Sequence, residues 1–316
     1  MNATERSIFE QFPFWGGVPD IPRPDPSLPV VVIGCGSSYH LAFSVAALLN
    51  EAGTHAMAVP GGEWWLRPQA YVPAGTRVQV VAISRSGESS ETVRAAERSR
   101  ADGHRVTAFT CTPDSSLVRA ADTVVSAATH AEEGIVMTSS ASLMLLMGLH
   151  LAGHALEPGT VAAAGILLDQ VSEAAPSLLA GREHFVFLGT GPLWGIAREG
   201  ALKLQEMSLA MVEAYPTLDY RHGPISLADE RTLVVMLDAP DAAADETKLV
   251  GELQARGARV LGLGGAGDVR FDVQGQAALR GLTLLPALQI LGERLAQAKG
   301  LDTAAPRGLT KVIVLG

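Results

Sequence analysis

Residues 184–191 read HFVFLGTG and residues 29–36 read PVVVIGCG. Each is an apolar run, the first rich in Phe and the second in β-branched residues, of the kind that fills a strand buried on both faces, and each ends in a Gly-X-Gly turn. Gly189 and Gly191 follow Gly34 and Gly36 by 155 positions. Two further pairs keep almost that spacing: TLVVMLD (232–238) follows VQVVAIS (78–84) by 154 positions, and RVLGLGG (259–265) follows RVTAFTC (105–111) by 154. One offset shared by three strands predicts an internal duplication. Working outward, TVVSA (123–127) reads as a fourth strand, and helical patterns span about 38–52, 89–103 and 136–155. Strands alternating with Ala/Leu-rich helices predict βαβ units, hence an α/β chain of two tandem doubly wound parallel-sheet domains. The expected division is an N-terminal arm over 1–28, a first domain over 29–156, a linker helix over 157–177 and a second domain over 178–316.

Composition narrows the function. The chain has 316 residues, 47% hydrophobic and only 18% charged, enough for two cores of ordinary size. A net charge of −9 leaves no basic footprint for nucleic acid, and no Lys/Arg cluster marks a membrane surface. The most apolar stretches, near 135–156 and 277–301, are interrupted by His150 and His154 or by Arg280 and Glu293, so they read as core helices. The opening MNATERSIFEQFPFW has acidic residues and no apolar core, unlike a signal peptide. Cys35 and Cys111 lie in strand-like contexts and are expected to be buried, reduced thiols, which fits a cytoplasmic location. His150 and His154 share a helix face but lack a third ligand at metal spacing, so no metal site is expected.

The strand at 78–84 surfaces into AISRSGESSET (82–92). At the carboxyl end of a parallel strand, helix N-termini present free N–H groups and partial positive charge. Ser84, Ser86 and Ser89 add hydroxyls there, and Gly87 permits a tight turn. Ser37-Ser38 follows the first strand in the same way, and Thr138-Ser139-Ser140 opens the long helix. One such turn is explained by helix capping alone. Three together point to an anion, with phosphate the best fit. The second half carries LDAPDAAADE (237–246) instead, with Asp238 in the place of Ser84, so only the first copy is expected to bind phosphate. GCGSSYH and GTGPLWG are fragments of a dinucleotide fingerprint and no Walker-type lysine follows the serines, which favours a small phosphorylated metabolite.

After the second Gly turn, Glu199, Lys203 and Glu206 stand at i, i+4 and i+7, within an arc of about 60° on a helix. A solvated ion pair would account for the spacing. The position, on the helix leaving a strand's carboxyl end, instead suggests a proton-transfer carboxylate backed by a lysine. His222, in RHGP, follows on a loop braced by Gly223 and Pro224.

Taken together, GCGSSYH (34–40), SRSGESSET (84–92), EGALKLQE (199–206), EAYPTLDYRHGP (213–224) and PRGLTKVIV (306–314) resemble the tandem sugar-isomerase (SIS) domains of the isomerase half of glucosamine-6-phosphate synthase and its stand-alone relatives. The resemblance implies flavodoxin-like SIS domains and a sugar 6-phosphate held by Ser37, Ser38, Ser84, Ser86 and Ser89. Arg85 belongs to the same phosphate-binding loop and stands where the synthase usually has glutamine. It implies that Glu206 moves a proton between C1 and C2, that Glu199 and Lys203 relay it, that His222 opens the sugar ring, and that Lys311 covers the substrate and can form an imine. It also implies a homodimer with shared sites, His222 coming from the neighbouring subunit, and no cofactor. Residue 2 is Asn, where the synthase has a nucleophilic cysteine, so ammonia from glutamine is not expected. Tyr220-Arg221 before HGP is nearer to the stand-alone deaminases. The expected activity is that of an isomerase/deaminase acting on an amino-sugar 6-phosphate. The alternatives are a fructosamine-6-phosphate deglycase and a non-catalytic sugar-phosphate sensor.

Overall fold

The computed structural model describes residues 1–315, and the last residue of the expected second domain, Gly316, lies outside the described residues. It contains two five-stranded sheets, each parallel throughout. The first comprises β1 (Val30–Gly34), β2 (Ala56–Pro60), β3 (Gln79–Ile83), β4 (Arg105–Thr110) and β5 (Thr123–Ser126), in the order β2-β1-β3-β4-β5. The second comprises β6 (His184–Gly189), β7 (Met211–Pro216), β8 (Thr232–Leu237), β9 (Arg259–Leu263) and β10 (Val269–Phe271), in the order β10-β9-β8-β6-β7. Read from its other edge, the second order repeats the first, strand for strand, as the 154–155 spacing requires. The two Gly turns agree as well: Gly36 has φ 55 and ψ −125, Gly191 φ 56 and ψ −129. That backbone region is open to glycine and strained for other residues.

Three strands, β2, β7 and β10, escaped the sequence reading. All lie at a sheet edge, and none is buried throughout, whereas β1 and β8 are buried at every residue and β6 at every residue after His184. A strand covered on both faces writes a continuous apolar run, and an edge strand need not.

The helices that matter below are α1 (Ser37–Glu51), α2 (Ser90–Ala101), α3 (Ser139–Leu151), α4 (Pro158–Leu179), α5 (Pro192–Ser208), α6 (Ala243–Gln254) and α7 (Arg280–Ala298). Of α3, only His150 is not fully buried, so its apolar run is that of a core helix. Among the described residues, no helix is long and apolar enough to cross a membrane, and no group of three His, Cys, Asp or Glu residues is placed to hold a metal ion. Cys35 and Cys111 are free thiols, half-buried, and burial pushes Cys111 up to about 12.

The chain divides into two compact units whose boundaries differ from the expected ones. One unit is Glu10–Leu156 with the tail from Thr310; the other is Met1–Phe9 with Glu157–Leu309. The expected arm is thus split. Its first turns join the second-sheet unit, where Asn2 Nδ2 donates to Glu293 Oε1 at 2.7 Å and Arg294 pairs with Glu5 at 2.7 Å. The remainder lies on the first-sheet unit, with Gln79 exchanging hydrogen bonds with Asp25 at 2.9 Å. The expected linker α4 packs on α7 as part of the second-sheet unit, because it carries a buried face of Ala164, Leu167, Leu168, Val171, Ala175 and Leu178. The tail belongs to the first-sheet unit, not to the second domain of the sequence.

Candidate active site

In the first-sheet unit the chain leaves β1 toward β2 on one side and returns to β3 on the other. The crevice between the carboxyl ends of β1 and β3 is therefore a topological switch point, where α/β sheets hold their ligands. Ser37 and Ser38, both buried, open α1 at the end of β1. The loop Ser84–Ser89 leaves β3 and delivers the chain to α2, with Ser89 in the N-cap position. The loop is internally braced: Ser84 Oγ accepts the Gly87 N–H at 3.1 Å and Ser86 Oγ the Glu88 N–H at 3.2 Å. Gly87 has φ 64, and a Cβ there would come within 2.0 Å of Ser115 Oγ. Two hydroxyl-rich turns thus leave the carboxyl ends of adjacent strands.

The third turn does not join them. The carboxylate of Glu133 sits at the N-terminus of α3, with Oε1 accepting the Thr138 N–H at 2.6 Å, the Ser140 N–H at 3.0 Å and the Ser140 hydroxyl at 2.8 Å. Its other oxygen takes the Thr129 hydroxyl at 2.8 Å. The anion held by Thr138 and Ser140 is supplied by the chain itself, which corrects the expectation of a phosphate held from three sides. Glu133 was missed by the sequence reading; a carboxylate five residues before a Thr/Ser helix start was its available signal.

Arg85, grouped with the phosphate serines by its place in the loop, has other partners. It is buried, with Nη1 donating to the Gly134 carbonyl at 2.9 Å and Nη2 to those of Ile135 at 2.8 Å and Lys311 at 3.5 Å. The tail lies along the same edge of this unit. The Ser90 N–H donates to the Ile313 carbonyl at 3.3 Å, the Leu315 N–H to Ser90 Oγ at 2.9 Å, and Lys311 Nζ to the Glu133 carbonyl at 3.1 Å.

In the second-sheet unit, α5 leaves the carboxyl end of β6 and carries the acid–base–acid face. Lys203 Nζ lies 3.5 Å from Glu199 Oε1 and 2.5 Å from Glu206 Oε2. The side chains of Glu199 and Lys203 are 0% and 1% exposed, which rules out the solvated ion pair, whereas that of Glu206 is 21% exposed. A buried ammonium persists only when its partners offset the loss of hydration, so the array is a fixed unit with one carboxylate open to solvent. His222 follows the short helical segment Thr217–Arg221 and is exposed; among the described residues no hydrogen bond or ion pair joins its ring to the array. At the strand end corresponding to the serine loop lie two buried carboxyls, Asp238 and Glu246. Burial, and then the neighbouring Glu246, pushes Asp238 up to about 7.

The structure therefore brings Ser37, Ser38, Ser84, Arg85, Ser86, Ser89 and Lys311 into one unit, and Glu199, Lys203, Glu206 and His222 into the other.

The SIS domain, as a family, matches residues 29–152 and again 178–269. The sequence is 31% identical over 321 residues to the glutamine–fructose-6-phosphate aminotransferase (isomerizing) of Gloeobacter violaceus, and 26% identical over 298 residues to that of Sulfurisphaera tokodaii. Each alignment covers 90% of this chain but 52% and 50% of those proteins, so the chain spans about half the length of the curated relatives it matches. Among solved structures, glucosamine-6-phosphate deaminase of Thermotoga maritima superposes with a TM-score of 0.87 at 30% identity, covering 99% of this chain and 100% of that one. The tagatose-6-phosphate ketose/aldose isomerase of Escherichia coli gives a TM-score of 0.83 at 21% identity, covering 98% and 96%, and shares the fold.

Proposed function

The chain belongs to the SIS-domain family, and on that premise we propose that it is a phosphosugar isomerase/deaminase acting on an amino-sugar 6-phosphate of the glucosamine-6-phosphate type. The observation that carries this reading is the array on α5: a fully buried lysine between two carboxylates, one of them partly exposed. Such a carboxylate is oriented by its ammonium partner yet open to a ligand, as a proton-transfer base must be. The whole-length likeness to the Thermotoga maritima deaminase supports the direction of the chemistry.

In this reading the hydroxyls of Ser37, Ser38, Ser84, Ser86 and Ser89 hold the phosphate at the first-sheet switch point. His222 moves the proton that opens the sugar ring. Glu206 takes the proton from C2 and returns it to C1 through an enolamine, while Lys203, anchored by Glu199, keeps the carboxylate in place. The resulting C2 imine adds water and expels ammonia, leaving a keto-sugar 6-phosphate; Lys311 lies with the serine loop as an amine able to take the carbonyl carbon as an imine. We place His222 in the site of a neighbouring copy within a homodimer, a role that its exposure on its own unit supports.

Ammonia release from glucosamine 6-phosphate, without glutamine, tests this. The intact protein is expected to release it, and Glu206→Gln to lose about 10²- to 10⁴-fold in kcat, the contribution usual for a positioned general base. If neither protein releases ammonia while the sugar phosphate still raises Tm, the deaminase reading fails. Turnover of a fructosamine 6-phosphate would then identify a deglycase, and binding without any turnover a sensor.

A further inference from the structure

Arg85 is the basic member of the serine loop; the residue is only 7% exposed and its guanidinium is committed to main-chain carbonyls. Nη1 and Nη2 grip the consecutive carbonyls of Gly134 and Ile135, and Nη2 also reaches that of Lys311. The preceding residue, Glu133, is fixed from the other side, its carboxylate locked onto the first turn of α3 and its carbonyl accepting Lys311 Nζ. Lys311 is thus held at both ends, its carbonyl on Arg85 and its ammonium on the segment that Arg85 clamps.

The rest of the tail has little else to keep it seated. Ile313 and Val314 are 59% and 72% exposed, and the remaining links are polar ones to Ser90 and to Arg94. A strap with only Val312 of its apolar side chains half-buried and Ile313, Val314 and Leu315 exposed gains little from burial, so a few hydrogen bonds decide where it lies. The direct contact of the guanidinium with the tail is a long one, 3.5 Å, whereas its short charge-assisted bonds, 2.9 and 2.8 Å, fix residues 134–135, next to the Glu133 carbonyl that holds Lys311 Nζ at 3.1 Å. Turning the same guanidinium to a phosphate would strip the donors from the 134–135 carbonyls.

We propose that Arg85 is a positioning residue for Lys311: it clamps residues 134–135 and the tail carbonyl, and so delivers the Lys311 ammonium to the serine loop while the hydroxyls alone bind phosphate. The inference rests on the reading that Lys311 takes part in turnover.

The test uses the full chain with Arg85→Gln and Arg85→Lys. Hydrogen exchange of the C-terminal peptide needs no activity, and Arg85→Gln is expected to speed it by about tenfold, with Arg85→Lys in between. Inorganic phosphate is expected to raise Tm equally in all three proteins. With glucosamine 6-phosphate, Arg85→Gln lowers kcat and leaves KM in place, and in a Lys311→Gln background it has no further effect on kcat. Unchanged tail exchange in Arg85→Gln overturns the proposal, as does a lost phosphate response with a protected tail, which would make Arg85 a phosphate ligand. If Arg85→Gln does not fold, the same measurements on Arg85→Lys decide, because a single ammonium cannot grip both carbonyls. Absence of turnover in every protein overturns the functional reading instead, and the exchange and phosphate measurements still decide the role of Arg85.

Discussion

At the scale of single residues, what separates the two halves is which charged groups are buried and what meets them. Lys203, within α5, and Asp238, just past the end of β8, are both buried in the second-sheet unit, yet Lys203 has two carboxylates while Asp238 has a second acid, Glu246, as a neighbour. The consequence for Asp238 is a pH dependence. Its pKa is raised from 3.8 to about 7, first by burial and then by Glu246. Between those values the folded chain binds the proton more tightly than the unfolded chain, so this group's contribution to stability falls as pH rises through that window and is level above it. Asp238→Asn removes the titration. Urea unfolding is expected to show the variant gaining on the wild type between about pH 5 and about pH 8, and an equal shift at both pH values would refute the assignment. The aspartate was legible in the sequence as the counterpart of Ser84; its burial against Glu246 was not.

At the scale of elements, the serine loop depends on one backbone position. Gly87 has a positive φ and no room for a methyl group beside Ser115. Gly87→Ala must distort the turn that aims Ser84 and Ser86, at a cost of about 1–3 kcal/mol in stability. It is expected to abolish the rise in Tm with inorganic phosphate, and a variant that keeps the full rise would show that this turn is not the anion cradle. The loop was readable because a strand, a glycine and a run of hydroxyls are consecutive in sequence. The edge strands β2, β7 and β10 were not, because their half-covered residues lack a continuous apolar pattern. The third hydroxyl turn misled for a different reason: Thr138 and Ser140 do bind a carboxylate, and nothing in their own spacing says that Glu133 provides it.

At the scale of the whole molecule, the proposed homodimer makes a prediction that neither unit makes by itself. Glu206→Gln and His222→Asn are each expected to be inactive. If His222 serves a neighbour's site, co-expressing the two variants places an intact Glu206 and an intact His222 in one of the two sites of a mixed dimer. Recovery of ammonia release on co-expression is the expected result, and its absence would return His222 to its own chain's site. The sequence by itself determined the duplication, the existence of the central strands, the Gly turns and the acid–base–acid face, because each is written in consecutive residues or in a fixed period. Only the tertiary structure decided that the tail joins the first-sheet unit, that Arg85 holds carbonyls, and that Glu133 occupies a helix N-terminus. Arg85 meets the Lys311 carbonyl across 226 positions. A main-chain carbonyl is the same at every residue, so no side-chain pattern marks which one a guanidinium will find.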